Sequence, residues 1–333
     1  MYRSRTGRAM AGVVGAAALL LTGCSSGDDG NQPSKASQQP RETDPYWVNP
    51  EGNAARQAAS YREDGDDEKA ALIEEIAAQP VAEWIGTENV EAETRRITES
   101  AAKADRDALL VLYNIPHRDC GQFSRGGAAD AAAYRDFVDR AAEGIGDRRA
   151  TVILEPDAVL HLVDSCTPRE FHEERYQLLR GAVDRLKKQP NAKVYLDAGN
   201  AGWSNPDVLQ EPLRRAGIDK ADGFSVNVSN FYPTAESAEF GRKLSEKVGG
   251  KPFVIDTSRN GNGSYTGGDP KENWCNPPGR ALGETPTVET GDPLVDAYLW
   301  IKRPGESDGE CKGGPKAGDW WPEYALGLAR GTE

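Results

Sequence analysis

The chain has 333 residues, and its 53 acidic side chains outnumber its 40 Lys and Arg side chains to give a formal net charge of −13. Such an acidic chain is a poor partner for nucleic acid or other anionic polymers and suits an uncharged ligand. No internal repeat and no second linker divide the sequence, so we expect one large domain of barrel size.

The first 23 residues have the pattern of an export signal. Arginines near the start precede an apolar run from Met10 to Leu21, which is too short to span a membrane. The order Leu21-Thr22-Gly23-Cys24 resembles a bacterial lipobox and predicts a lipidated Cys24; an ordinary secretory signal with a chance cysteine is the alternative. We therefore expect an exported lipoprotein, anchored to the cell membrane through Cys24 and facing outside, with a part of it released.

Residues 24–43 form the next segment. Apart from proline, residues 25–43 contain no aliphatic or aromatic residue larger than Ala, so this stretch cannot bury a core. We predict a disordered tether over 24–43 and a folded domain over 44–333.

Four cysteines follow Cys24 along the chain, namely Cys120, Cys166, Cys275 and Cys311. An even number in an exported chain predicts two disulfides, with free thiols as the alternative. The sequence has three His and no CxxC or Cys/His cluster, so we expect no zinc site.

Short apolar runs rich in β-branched residues recur along the domain and predict strands. They are Val81–Ile85, Leu109–Tyr113, Thr151–Leu154, Lys193–Leu196, Gly223–Val228, Pro252–Ile255 and Ala297–Ile301. Segments between them have helical spacing, namely Thr94–Ala104, Ala129–Gly144, Glu170–Lys188 and Ala235–Val248. This alternation, without a Gly-rich nucleotide fingerprint after the first strand, predicts a single-domain α/β fold: a distorted parallel (β/α) barrel of about seven strands, similar to a TIM barrel.

Acidic side chains follow the carboxyl ends of the predicted strands. Asp119 follows the second strand and Asp157 the third, while Asp197 and Asp308 follow the fourth and the seventh. In barrel enzymes this edge holds the active site. Solvated helix caps explain any one of these acids but not the whole set, because clustered charges repel each other and cost stability.

Tryptophans on or next to the same strand ends, Trp84, Trp203 and Trp274, indicate a sugar ligand. A pyranose stacks its apolar face on an indole ring, although core packing is an alternative for each tryptophan alone. Hydrolysis of a glycosidic bond needs one protonated carboxyl and one ionised group, and neighbouring acids can keep the first one protonated. The pattern therefore favours a glycoside hydrolase.

Six sequence blocks occur in one order between residues 113 and 309, within a region of similarity that runs from about Tyr46 to Ala325. They are YNIPHRDCG (113–121), ILEPDAV (153–159), YLDAGNAGW (195–203), IDTSRNGNG (255–263), NWCNPPGRALG (273–283) and LWIKRPGESDG (299–309). Together they resemble glycoside hydrolase family 6, which comprises β-1,4-endoglucanases and cellobiohydrolases. The resemblance implies a distorted barrel, inversion of the anomeric configuration, and neither a metal nor a cofactor.

The resemblance also implies roles for five residues of these blocks. Asp157 matches the general acid, and Asp119 matches an aspartate that acts through a chain of waters. Asp197 matches the residue that raises the pKa of the acid, and Asp308 matches the proposed base, whose role in the family is debated. Tyr113 matches a tyrosine that helps to distort the sugar ring.

Further residues are expected to bind the sugar chain, and to those matched by motif we add Asn227 after the fifth strand. The set is Trp84, Ser124, Trp203, Asn227, Trp274, Lys302 and Glu306. We expect supporting cations beside the carboxylates at Arg118, Arg259 and Arg280. The disulfides of the family correspond to Cys120–Cys166 and Cys275–Cys311.

Two residues depart from the family pattern: Asn200 stands where His is common, and His117 stands where a small residue is common. Neither is a proton-transfer position, so we expect activity to survive. Connections such as 257–274 and 283–293 are short, which favours an open cleft and endo action. Together with the inversion that the resemblance implies, we expect an inverting endo-β-1,4-glucanase acting on β-1,4-glucan or cello-oligosaccharides, and we expect it to be a monomer. A cellobiohydrolase of the same family and a non-catalytic, glucan-binding surface lipoprotein are the alternatives.

Overall fold

The computed structural model describes residues 45–119, 123–203 and 205–331. Its centre is one sheet of seven parallel strands that lie side by side in chain order. The strands are β1 (Glu83–Trp84), β2 (Ala108–Leu112), β3 (Ala150–Leu154), β4 (Ala192–Asp197), β5 (Gly223–Val226), β6 (Phe253–Asp256) and β7 (Val295–Leu299). Each one overlaps a predicted strand, so the α/β class and the parallel seven-stranded arrangement are confirmed.

Helices connect and flank the strands. They are α1 (Asn53–Glu63), α2 (Asp67–Ala77), α3 (Val90–Lys103), α4 (Ala131–Ile145), α5 (Leu160–Val163), α6 (His172–Leu186), α7 (Pro206–Ala216), α8 (Thr234–Lys247) and α9 (Pro322–Arg330). The four predicted helical segments correspond to α3, α4, α6 and α8. The helices α1, α2, α5, α7 and α9 were not singled out from the sequence.

Alternating side chains along each strand separate into two cores. Leu110, Val152 and Val194 face outward and pack with the surrounding helices in the larger cluster. Leu109, Ile153 and other residues on the opposite face pack against each other inside the curve of the sheet. The strands are buried on both faces, which is why they appear in the sequence as continuous apolar runs.

The two edges of the sheet approach each other, so the sheet curls into an incomplete barrel. Val81, just before β1, makes an isolated parallel bridge with Trp300, just after β7. The Ala82 N–H donates to the Trp300 carbonyl at 2.9 Å, and the Trp84 indole N–H donates to the Ile301 carbonyl at 2.9 Å. Strand ends that lie far apart in the sequence therefore share one edge.

Among the described residues, no helix has the length and apolar character needed to cross a membrane. The predicted export signal, the tether and Cys24 lie outside the described residues.

Candidate active site

Because all seven strands are parallel, their carboxyl ends meet at one edge, where a cleft of about 980 Å³ opens. Most of the predicted site residues line this cleft. They are Trp84, Tyr113, Arg118, Asp119, Ser124, Asp157, Trp203, Trp274, Lys302, Glu306 and Asp308. The topology therefore gathers residues that are more than two hundred positions apart in the sequence.

Asp157 and Asp197 form an acidic pair at the ends of β3 and β4. The backbone N–H of Asp157 donates to Asp197 Oδ2 at 2.9 Å. Asp197 is 1% exposed and also accepts from the Gly199 N–H at 3.2 Å and the Ser225 hydroxyl at 3.0 Å. Asp197 thus supports Asp157 from behind and does not itself line the cleft.

Burial raises the pKa of both carboxyls. Loss of hydration raises the pKa of Asp157 to about 6, and burial together with the charge of Asp157 raises the pKa of Asp197 to about 7. The two groups interact and share protons as a pair. Taken singly, these two pKa values favour a proton on Asp197. The three hydrogen bonds that Asp197 accepts favour its ionised form, however, and Asp157 is the carboxyl that faces the cleft, so we place the shared proton on Asp157.

Asp119 lies on the loop after β2, and its carboxylate is held by a backbone N–H of the same loop. Its Oδ2 accepts from the Ser124 N–H at 2.5 Å, while burial raises the pKa of the carboxyl. Arg118 donates to the carbonyls of Ser124 and Tyr113, and its guanidinium lies 4.5 Å from the centre of the Tyr113 ring. Arg118 therefore shapes the loop through backbone carbonyls and an aromatic ring.

Three acidic residues of the site have left-handed backbone conformations. The φ angles are 58° at Asp119, 52° at Glu155 and 67° at Asp157. This region is uncommon for residues other than Gly, although Asn and Asp adopt it more readily than most, and such conformations concentrate at functional sites. The surrounding contacts hold these carboxyls at positions that a relaxed loop would not give.

Asp308 has a different environment on the other side of the cleft. Its Oδ2 pairs with Arg259 Nη1 at 2.9 Å and its Oδ1 lies 3.3 Å from Lys302 Nζ. The Asn276 N–H also donates to Asp308 at 3.0 Å. Burial alone would raise the pKa of Asp308, but the two cations hold it below its ordinary value.

The three tryptophans are partly buried and anchored by their indole N–H groups. Trp84 is held by the Ile301 carbonyl, Trp203 by Asp164 Oδ2 at 3.2 Å, and Trp274 by the Lys271 carbonyl at 2.9 Å. All three residues line the cleft, and Trp84 and Trp203 also pack against the hydrophobic cores.

Four predicted positions do not line the cleft, namely Asp197, Asn227, Arg259 and Arg280. Asp197 and Arg259 bond to acidic residues of the cleft, whereas Asn227 and Arg280 hold backbone instead. Asn227 is 0% exposed, and its amide bonds to the carbonyls of Asp256 at 2.8 Å and Tyr232 at 3.2 Å, so it holds the loop after β5 instead of a sugar. The Arg280 guanidinium donates to carbonyls of Pro278, Asn262 and Gly263. Of the three expected carboxylate supports, Arg259 forms a direct ion pair with an acid of the cleft.

Glu155 and Arg175 are buried charges of the site region that sequence reasoning did not find. Glu155 accepts from the backbone N–H groups of Asn114 and Ile115, which ties β3 to the loop after β2, and burial raises its pKa to about 7. Arg175 donates to the carbonyls of Pro116 and His117 at 2.9 and 3.0 Å. Glu155 could have been predicted from its position in the sequence, directly before Pro156 and Asp157.

His161 was also missed, although it lies one helical turn after Asp157. Its Nδ1 pairs with Asp164 at 3.2 Å, and its ring packs edge-on against Trp203 at 5.2 Å. Its Nε2 is buried without a hydrogen-bond partner among the described residues.

His161, Asp164 and Cys166 place potential metal-ligand atoms within 4.8 Å of one another. The metal ligand of a cysteine is its thiolate, but Cys166 is disulfide-bonded, so this trio lacks that donor. Cys120 lies outside the described residues, and its pairing stays a prediction. The second bridge, Cys275–Cys311, is formed in the structure and flanks Trp274 and Asp308.

An acidic pair with raised pKa values, set among indole platforms in an open cleft, has the composition of a glycosidase site. The chain belongs to glycosyl hydrolases family 6, whose sequence model matches residues 41–332.

Individual relatives agree with this assignment. Endoglucanase A of Cellulomonas fimi is 44% identical over 87% of this chain, which spans 62% of that relative, and endoglucanase 1 of Streptomyces halstedii is 40% identical over 90% of this chain and 92% of its own length. A solved structure of the Mycobacterium tuberculosis endoglucanase Cel6, in complex with methyl-cellobiosyl-4-deoxy-4-thio-β-D-cellobioside, is 40% identical with a TM-score of 0.82, covering 87% of this chain and 98% of that one.

Proposed function

We propose that the protein is an inverting endo-β-1,4-glucanase that cuts internal bonds of β-1,4-glucan. The observation that carries the proposal is the buried pair of Asp157 and Asp197 at the cleft, in which one carboxyl is held protonated near neutral pH. Membership of family 6 and the endoglucanase names of its relatives support the same reaction.

Asp157 is the general acid in this proposal. Its proton passes to the glycosidic oxygen as that bond breaks, and the ionised Asp197 behind it stabilises the protonated form beforehand. Proton transfer of this kind contributes about 10²–10⁴ to a rate. The left-handed backbone at Asp157 fixes the direction of the carboxyl.

Asp119 is the better acceptor for the proton of the attacking water. Its pKa is raised by burial, whereas the pKa of Asp308 is lowered by the adjacent cations Arg259 and Lys302. A carboxylate paired with two cations is a weak base. We therefore assign Asp119 to water activation and Asp308 to positioning Lys302, in place of the base role that the family resemblance suggests.

The sugar chain binds along the indole platforms. Trp84 and Tyr113 pack edge-on with ring centres 5.6 Å apart on one side of the acid, and Trp203 lies beside His161 on another. Lys302 and Glu306 supply a charged donor and acceptor for hydroxyls. Tyr113, next to the acids, is placed to press the ring that is to be cleaved.

We also propose that the protein acts outside the cell, anchored by a lipidated Cys24 and a tether over 24–43. The apolar run and the lipobox-like order Leu21-Thr22-Gly23-Cys24 support this part. Metabolic labelling with a radioactive fatty acid tests it: label in the wild type and not in Cys24→Ala is expected, and equal label would overturn it.

Hydrolysis of soluble carboxymethylcellulose tests the activity. We expect viscosity to fall before reducing ends accumulate, and the first product from cellohexaose to be the α-anomer. A slow loss of viscosity with steady cellobiose release would indicate a cellobiohydrolase. Glucan binding without any product would indicate a non-catalytic surface lipoprotein.

A further inference from the structure

We propose that a second cavity beside the cleft, here called the side pocket, binds further glucosyl units of the same β-1,4-glucan chain. The inference rests on the proposed function and adds a binding site to it. The side pocket has a volume of about 310 Å³, at the lower end of the range typical of small-ligand sites.

The side pocket adjoins the catalytic cleft. Trp84, Arg303 and Glu306 line both cavities. The remaining walls come from the start of α1, the end of α2, the region of β1, helix α3 and Trp320. A glucan chain that extends beyond the indole of Trp84 therefore reaches the side pocket next.

Direct contacts connect the acidic centre to this pocket. Tyr113 lies in the cleft with Asp157 and packs on Trp84 at 5.6 Å. Beyond Trp84, Glu306 accepts from Arg303 at 2.9 Å and from Asn53 of α1 at 3.1 Å. The same carboxylate thus belongs to the end of the cleft and to the beginning of the side pocket.

The lining has the chemistry that a neutral sugar needs. Its amide, carboxylate and guanidinium groups can donate hydrogen bonds to sugar hydroxyls and accept hydrogen bonds from them. The residues that carry these groups are Asn49, Asn53, Arg56, Gln79, Glu83 and Arg96. Acidic and basic side chains are interspersed, which favours an uncharged ligand over an anion.

Trp320 supplies an aromatic face in this pocket and is held in place. Its indole N–H donates to Gln57 at 3.2 Å, and its ring lies so close to Gly305, at φ 93°, that a Cβ there would be 2.6 Å from a ring atom. A fixed, partly exposed indole beside interspersed polar groups is the arrangement that stacks a pyranose.

The test compares cellotetraose and cellohexaose, the second labelled with ¹⁸O at its reducing end so that each cleaved bond is identified. We expect the wild type to prefer cellohexaose in kcat/KM. Trp320→Ala and Arg96→Ala should each reduce this preference by about tenfold and shift the cleaved bond, with kcat/KM for cellotetraose unchanged.

Arg95→Ala is the matched control, because Arg95 precedes Arg96 on α3 and does not line the side pocket. It should leave the preference unchanged. Arg96 is exposed, so its variant keeps the test valid if Trp320→Ala does not fold. An unchanged preference in Arg96→Ala, or equal kcat/KM of the wild type on both substrates, overturns this inference alone; hydrolysis of neither substrate overturns the proposed function.

Discussion

Asp157 and Asp308 lie at the same edge of the sheet, and both are buried, yet their environments are opposite. Asp157 has the carboxyls of Asp197 and Asp119 as neighbours, and loss of hydration outweighs the opposing effect of His161 and raises its pKa to about 6. Asp308 lies between Arg259 and Lys302, and its pKa is lowered. Loss of hydration acts in the same direction on both, so the neighbouring charges decide which carboxyl keeps a proton.

The comparison explains how one cleft can hold an acid and a permanent anion a short distance apart. The side with Asp157 gives up stability to keep a proton available, since like charges are buried together. The side with Asp308 depends on its cations, because a buried carboxylate without a partner is strongly unfavourable.

The largest expected effect comes from removing the acid. Asp157→Ala should lower turnover on cellohexaose by about two to four orders of magnitude, because proton donation acts mainly in the transition state. Binding of cellotetraose, measured by calorimetry, should remain nearly intact. The control is Asp184→Ala, a surface residue paired with Lys220. Equal losses of turnover and affinity at Asp157 would contradict the assignment.

The next largest effect is expected from removing a cation beside Asp308. Arg259→Met should lower the free energy of unfolding by about 3–5 kcal/mol, because it leaves a buried carboxylate without its main partner. Urea unfolding at pH 7 measures this change. Arg280→Met is the comparison variant, since Arg280 donates to backbone carbonyls, and it should cost less than about 1.5 kcal/mol. Similar losses of unfolding free energy in both variants would show that the ion pair of Arg259 with Asp308 stabilises the fold no more than the backbone contacts of Arg280 do.

The Asp308 side also carries the Cys275–Cys311 bridge, whose cysteines are 36 positions apart. The double variant Cys275→Ser/Cys311→Ser should lose about 2–4 kcal/mol of stability in urea unfolding under non-reducing conditions. An unchanged unfolding midpoint would mean that noncovalent contacts alone hold this side.

Asp197→Asn should have the opposite effect and raise the free energy of unfolding. The folded-state pKa of Asp197 is raised to about 7, while the unfolded chain ionises this carboxyl near pH 4, so the folded form loses stability as pH rises from about 4 to about 7 and no further above that. The variant should therefore be more stable than the wild type by on the order of 1–3 kcal/mol at pH 8. Below about pH 4 the difference should vanish, because the acid is then protonated in both states. Equal stability of both proteins at pH 8 would remove the claim that the pair is strained.

The sequence allowed the strands and the carboxylates at their ends to be predicted, because buried parallel strands are apolar runs and their ends share one edge. It did not show which side chains face the cleft. Asn227 and Asp197 also follow strands, but they turn into the protein and bond to neighbouring loops.

Residues that act through others were harder to predict. His161 and Asp164 lie on and after the short helix α5, where no periodic pattern marks them, and their partner Trp203 is 39 positions beyond Asp164. Arg175 appeared as one more charge on a helix, although it is 2% exposed and bonds to the loop after β2. Such contacts depend on tertiary packing, which local sequence does not encode.

The most direct test of the account is the pH dependence of kcat/KM for the wild type and Asp197→Asn on cellohexaose. Activity requires a protonated Asp157, so it falls as pH rises through the pKa of that carboxyl. Without the negative charge of Asp197, this pKa drops, and the alkaline limb should move to lower pH by about one unit or more. An alkaline limb that stays in place, or moves to higher pH, would contradict the claim that Asp197 keeps the proton on Asp157.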